Sequence, residues 1–204
     1  FALYSYGKYL PNNKRKNLNK YPEFDVLAIK AEDAANSIKN TLRKNGINNI
    51  TISKKFGIGE IISEHYQIKI NNEPIIFVYQ TTACHSYNII NVNNKKIKIA
   101  TIDTMLSLYL AFLYAERDYY DIHRIICIAE YLFYIQSKNR IQTRGVLKRF
   151  SINCYGKQET LEDIRGYKSE KYKELKNNKT SKEYQNNFLR YYPLEKYSSI
   201  KKKK

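Results

Sequence analysis

The chain has 204 residues, enough for one domain with a real core, and 43% of them are hydrophobic, which excludes wholesale disorder. Lys and Arg number 36 against 19 Asp and Glu; the net charge of +17 points to a polyanion partner, nucleic acid first, although Lys, Asn, Ile and Tyr enriched together is also what AT-rich codons produce. No apolar run approaches the roughly 20 residues that span a bilayer, and Phe1 to Leu10 lacks the order of a signal peptide, so no membrane partner is expected.

The chain starts at Phe1 without an initiator methionine and reads as a fragment or a processed chain. Gly7 in "YSYGKYL" suggests a turn, followed by a loose basic loop up to Lys20. "FDVLAI", Phe24 to Ile29, is a short apolar run after Pro22 and predicts a buried strand with one acid inside it. "AEDAANSIKNTLRKNG" then predicts a helix. Ala34, Ala35, Ile38 and Leu42 line one face, acids open it, bases close it, and Asn45-Gly46 stops it.

The period then changes to two. Asn49 to Ser53 alternates, Tyr66 to Ile70 alternates again, and Asn71 to Pro74 reads as a turn into "IIFVYQ", Ile75 to Gln80. Ile89 to Val92 and Ile97 to Ile99, joined through Asn93-Asn94, predict a second hairpin. From Thr101 the pattern is helical. Thr101 or Asp103 can cap a helix whose stripe is Leu106, Tyr109, Leu110 and Leu113. After a break near Asp118, Ile122, Ile125, Ile126, Ala129, Leu132 and Phe133 mark the next. Beyond Lys138 the chain turns basic. "NRIQTRGVLKRFSINCYGKQ" interleaves Phe150 and Tyr155 with cations, a charged exposed helix and a loop follow, and "KYSSIKKKK" ends as a basic tail. The order of elements predicts an α+β fold with a mixed sheet and packed helices.

Cys84, Cys127 and Cys154 are odd in number, widely spaced and form no CxxC pair. They argue against a disulfide framework and a zinc site, and fit a reducing compartment. Asp25 raises the question of catalysis. A two-metal nucleotidyl-transfer site needs a glycine turn, two acids two residues apart on a strand, and a third acid on a neighbouring strand. Here the residue two beyond Asp25 is Leu27, and "IIFVYQ" has no acid. Asp25 therefore reads either as a relic of such a site or as a carboxylate hydrogen-bonded at the strand edge, and no metal site is expected. A metal nuclease built on Asp25, Glu60 or Glu64, and Lys69 is a weaker reading. The Cys84–His85 pair is weaker still, because adjacent strand residues face opposite sides. No P-loop occurs.

The stretches "YPEFDVLAIKAEDAA", "TIDTMLSLYLAFLYAERDYYD" and "GVLKRFSINCYGKQETLEDIR" together resemble the poly(A) polymerase catalytic subunits of large DNA viruses. The resemblance is to the giant-virus and asfarvirus-like members first, with poxvirus enzymes more distant. It spans roughly Tyr21 to Tyr192, and its most specific piece is "LKRFSINCYGKQETLED". It implies a longer enzyme whose upstream nucleotidyltransferase domain binds ATP and Mg²⁺ or Mn²⁺ and carries the acids, with this chain as the degenerate C-terminal repeat. None of the family's catalytic carboxylates carries over beyond the position of Asp25. The resemblance further implies RNA (the mRNA 3′ end), the upstream domain, and a homodimer or a stimulatory subunit as partners, in the host-cytoplasm viral factory or the virion.

The expected organisation is a degenerate nucleotidyltransferase-like core over residues 1–140 and a basic C-terminal extension over 141–204 that packs on or flanks it. Within the extension, Arg144, Lys148, Arg149 and Lys157 are the expected phosphate contacts, with Phe150 and Tyr155 as stacking faces or, equally, as core residues of a half-buried strand. A stand-alone RNA-binding or processivity protein is the competing function.

Overall fold

The computed structural model describes residues 2–18, 24–58, 61–115, 117–138, 147 and 151–188. Two short helices, α1 (Ala2–Gly7) and α2 (Asn12–Leu18), precede strand β1 (Phe24–Ala28) and helix α3 (Ala31–Lys44). Strands β2 (Ile50–Lys55), β3 (His65–Ile70) and β4 (Glu73–Gln80) complete a four-stranded mixed sheet of order β1-β4-β3-β2, in which only β1 and β4 are parallel. Strands β5 (His85–Val92) and β6 (Lys95–Ala100) join β7 (Cys154–Tyr155) in a second, antiparallel sheet of order β6-β5-β7. Helices α4 (Ile102–Ala115), α5 (Ile122–Lys138), α6 (Leu161–Leu175) and α7 (Lys182–Asn187) make up the rest.

The local chemistry explains these elements. Asn71-Asn72 and Asn93-Asn94 all have positive φ, between 47° and 67°, so both hairpins close through two-residue turns that suit asparagine. Glu73 and Pro74 accordingly belong to β4 rather than to the turn. Glu32 and Asp33 sit in the first turn of α3 and Arg43 and Lys44 in its last, each complementing the helix dipole. Ala31 and Ala35 are buried, and Ala34, Ile38 and Leu42 pack with Tyr66, Ile68 and Val78 on one face of the four-stranded sheet. Gln80 ties the end of β4 to this helix, accepting from the Ala31 N–H at 3.0 Å and donating to the Ile29 carbonyl. Thr101 caps α4, its Oγ1 accepting from the Thr104 N–H at 3.3 Å.

The larger core lies on the other face of the sheet. Tyr6, Phe77, Tyr79, Leu106, Phe112, Ile125, Leu132 and Leu147 belong to it. Tyr6 anchors α1 by donating its hydroxyl to the Ala100 carbonyl at 2.8 Å.

Several expectations are corrected. Gly7 is not a turn: it closes helix α1 and is buried, and the supposed loose loop contains α2, with Arg15 donating to the Gly7 and Lys8 carbonyls. Strand β1 is not buried along its length. It is the sheet's edge, and Phe24, Asp25 and Val26 are exposed while only Ala28 is buried. Leu110, Ile126 and Phe133 face outward, and the true stripes are Met105-Leu106-Tyr109-Phe112 and Ile125-Ile128-Ala129-Leu132-Ile135. Both helices are apolar nearly all round, so periodicity alone left the buried face undecided. The segment expected to be a loop after α6 holds α7, capped by Ser181, and Arg117 donates to Asn186 at 2.6 Å.

The cysteines are corrected too. Cys84 and Cys154 form a disulfide with Cα atoms 5.2 Å apart, across a sequence separation of 70. The pairing follows from register: Ser86 pairs with Cys154 and His85 with Tyr155, which brings the residue before β5 to the start of β7. Ser151 donates to the Tyr87 carbonyl at 3.0 Å, holding the same junction. Gly156 has φ +110°, and a Cβ there would stand 2.2 Å from the Ala83 carbonyl oxygen, so only glycine fits. Thr160 and Asp163 then form a reciprocal capping box at the start of α6. Much of the distinctive "SINCYGKQETLED" stretch is thereby accounted for by the way it joins β5 and starts α6.

Candidate functional site

Side chains alternate along a strand, so Asp25 and Leu27 project on the same face as their partners Phe77 and Tyr79 in β4. One strand further, Gln67 pairs with Phe77 and His65 with Tyr79. The positions around Asp25 that would have to carry acids for two-metal chemistry are thus filled by Leu27, Phe77 and Tyr79. The aromatic face continues into the helices. Tyr79 stacks on His65 at 4.7 Å and on Phe112 at 5.2 Å, and Phe112 stacks on Tyr120 at 4.7 Å. Tyr109 of α4 donates its hydroxyl to Asp25 Oδ2 at 3.2 Å.

The electrostatics follow from burial. Burial, and next the charge of Asp25, holds the Tyr79 hydroxyl well above the usual tyrosine range; burial does the same to Tyr120, and the two hydroxyls lie 3.4 Å apart. His65 is fully buried, which lowers its affinity for a proton. Its Nδ1 donates to the Ser63 carbonyl at 2.9 Å, and its Nε2 has no hydrogen-bond partner among the described residues. These groups are neutral at pH 7 and act as packing and hydrogen-bonding elements.

The donors do not fit a two-ion site. Among the described residues no group of three or more His, Cys, Asp or Glu side chains could hold a metal. The nuclease set is split by the sheet itself. Glu64 lies with Glu32 and Lys54 around Tyr66, whose hydroxyl donates to Glu32 Oε2 at 3.0 Å on the α3 face. Asp25 projects on the opposite face, Lys69 sits at a bulge facing Pro74, and Glu60 lies outside the described residues. Cys84 is occupied by its disulfide.

What the face does contain is a cleft of about 480 Å³ between β1, α4 and the second sheet. Asp25, His85, Tyr87, Lys98, Tyr109 and Tyr155 are among the residues that line it. Lys98 Nζ stands over the rings of Tyr87 and Tyr155, at 4.8 and 5.2 Å from their centroids. The register explains the grouping: Lys98 pairs with Ile89, so it is diagonal to Tyr87, and His85 pairs with Tyr155. Burial lowers the proton affinity of His85, and its buried Nε2 has no hydrogen-bond partner among the described residues.

Of the expected binding residues, Tyr155 lies in this cleft, half-buried, together with Asp25. Lys157 is exposed and does not line it; its charge acts on Asp163 at the start of α6. Arg144, Lys148, Arg149 and Phe150 lie outside the described residues. Sequence reasoning did not single out Tyr87 or Lys98, set His85 aside with Cys84, and read Tyr109 only as part of a helix stripe. The alternation of "KKIKIA" places Lys96 and Lys98 on one face of β6, but nothing local shows that β7 arrives beside it.

The fold is similar to that in the crystal structure of the Megavirus polyadenylate synthase, with a TM-score of 0.62 and 18% identity; the match covers 98% of this chain and 43% of that chain. This chain therefore spans less than half the length of that relative, and at such identity the likeness establishes the fold. No protein-family model and no curated protein matches the chain.

Proposed function

We propose that the chain is the non-catalytic, nucleotidyltransferase-like part of a viral poly(A) polymerase, of the giant-virus type. It holds RNA and packs against a catalytic nucleotidyltransferase domain, which transfers AMP from ATP to RNA 3′ ends with Mg²⁺ or Mn²⁺. The observation that carries this reading is the replacement of the acid positions: Asp25 faces Leu27, Phe77 and Tyr79 on a sheet that otherwise has a polymerase-like fold. One carboxylate on an aromatic face cannot clamp two metal ions and a triphosphate. The charge of +17 supports a role in RNA contact. The RNA-contacting run extends through Arg144, Lys148, Arg149, Phe150, Tyr155 and Lys157, and the protein works in the host cytoplasm or the virion. A homodimer or a stimulatory subunit completes the assembly.

The test uses the 204-residue chain with ATP, Mg²⁺ or Mn²⁺ and an oligonucleotide primer, beside a salt series of single-stranded RNA affinity. The expected result is binding without extension. A Lys148→Glu/Arg149→Glu variant binds more weakly, with a log–log salt slope flatter by about 0.7 for each phosphate that is no longer neutralised. Primer extension, or no RNA binding at all, overturns the reading.

A further inference from the structure

The cleft beside Asp25 has a size and lining that the proposed function does not use. Its volume of about 480 Å³ falls within the roughly 300–1,000 Å³ of small-molecule sites. Its walls are mostly apolar and aromatic, with the rings of Tyr87, Tyr109 and Tyr155 among the lining. Polar groups interrupt them, among them Lys98, His85 and Asp25. The Lys98 ammonium is held against two tyrosine rings, the His85 Nε2 is buried without a partner among the described residues, and Asp25 also lines the cleft. A cation, flat aromatic faces and a carboxylate acceptor together match one ligand class: a phosphate, a planar base, and an amino group on that base. Lys96, on the same face of β6, extends the positive charge.

We propose that this cleft binds one nucleotide, its phosphate at Lys98, its base against Tyr87 and Tyr155, and an exocyclic amine of the base donating to Asp25. The ligand is a nucleotide of single-stranded RNA with an amino-bearing base; uracil, which has no exocyclic amine, is disfavoured. This rests on the reading of the chain as an RNA-binding part of a polymerase, and it adds residues on β5, β6 and β7 to the RNA-contacting run proposed above.

The test is equilibrium binding of labelled 15-nucleotide A and U oligoribonucleotides, with AMP as competitor. Tyr155→Leu and Tyr87→Leu are expected to weaken A-oligomer binding about tenfold with an unchanged salt slope, because stacking carries no charge. Lys98→Gln flattens the slope by about 0.7. Lys44→Gln, at an exposed lysine in the last turn of α3, binds within twofold of wild type. The preference for A over U shrinks in Asp25→Asn. AMP competition abolished in the same variants identifies a mononucleotide site; variant-sensitive RNA binding that AMP does not displace identifies a nucleotide held within a strand. RNA binding by wild type that Tyr155→Leu, Tyr87→Leu and Lys98→Gln all leave intact overturns the cleft assignment and spares the proposed function. An A-over-U preference unchanged in Asp25→Asn overturns the placement of the base. Absence of RNA binding in wild type overturns both. Circular dichroism melts of each variant separate a binding defect from a folding defect.

Discussion

Asp25 stands opposite Phe77 in the parallel β1–β4 ladder, and Phe77 is only 4% exposed. The carboxylate at the sheet edge and the buried ring beside it are adjacent in space although 52 residues apart in sequence, from position 25 to position 77. The aromatic ring is part of a cluster that joins the sheet to α4 and the α4–α5 turn, with Tyr119 at 6.4 Å and Tyr120 at 6.3 Å. This face is a core, and a metal site there would mean dismantling that core.

Phe77→Asp is therefore expected to destabilise the chain by about 3 kcal/mol or more, because the ring no longer fills the core and an unpaired charge is buried in its place. Urea denaturation reads the change. It is also expected to confer no AMP transfer. A stable Phe77→Asp variant would show that the face tolerates acids.

The disulfide closes a loop across 70 residues of sequence. Chain-entropy reasoning assigns such a link about 4 kcal/mol, which for a chain of this size is about 10 °C in melting temperature. Cys84→Ser, or reduction of the wild type, should lower the midpoint by that order in a thermal melt. An unchanged midpoint would show that β7 is held by its hydrogen bonds alone.

Gly156→Ala meets two obstacles, a φ of +110° and a Cβ 2.2 Å from the Ala83 carbonyl oxygen. The expected loss is about 2 kcal/mol or more. Hydrogen exchange should show it as faster opening of β5 and β7, since these strands share the junction. Gly166, where an added Cβ meets nothing within 4 Å, is the control: Gly166→Ala in the middle of α6 should be neutral or stabilising.

Stability should fall as pH drops from 7 to 5. Burial lowers the pKa of His65 and of His85 from 6.5 in the folded chain, so the unfolded chain binds more protons in this window. Stability consequently rises with pH up to about the unfolded value and levels off above it. Urea midpoints at several pH values test the slope, and His65→Phe should reduce it. A slope of opposite sign would mean that these rings are charged when folded.

The extent to which this was legible in the sequence differs by element. Strands β2 and β3 announced themselves by alternation and β1 by a short apolar run, and the Asn-Asn turns and the Ala-rich face of α3 by residues whose conformational preferences are local. That neither Leu27 nor any residue of "IIFVYQ" is an acid was likewise readable, because a strand's two-residue period places side chains without any tertiary knowledge. The outward faces of Leu110, Ile126 and Phe133 were not, since a helix apolar on most sides buries whichever face its neighbours approach.

The composition by itself settled the basic charge, and the residue order settled most of the elements, though not α1, α2, β7 or α7. Only the tertiary structure decided that β1 is an edge, that Glu64 and Asp25 lie on opposite faces of one sheet, and that Cys84 meets Cys154. It also decided that Lys98, Tyr87 and Tyr155 gather at the cleft beside Asp25. The physical reason is the range of the interactions. Turn geometry and side-chain alternation act over a few residues and are written locally. Strand order, register between distant strands and the choice of a helix's buried face depend on contacts between segments tens of residues apart, which no short stretch of the chain specifies.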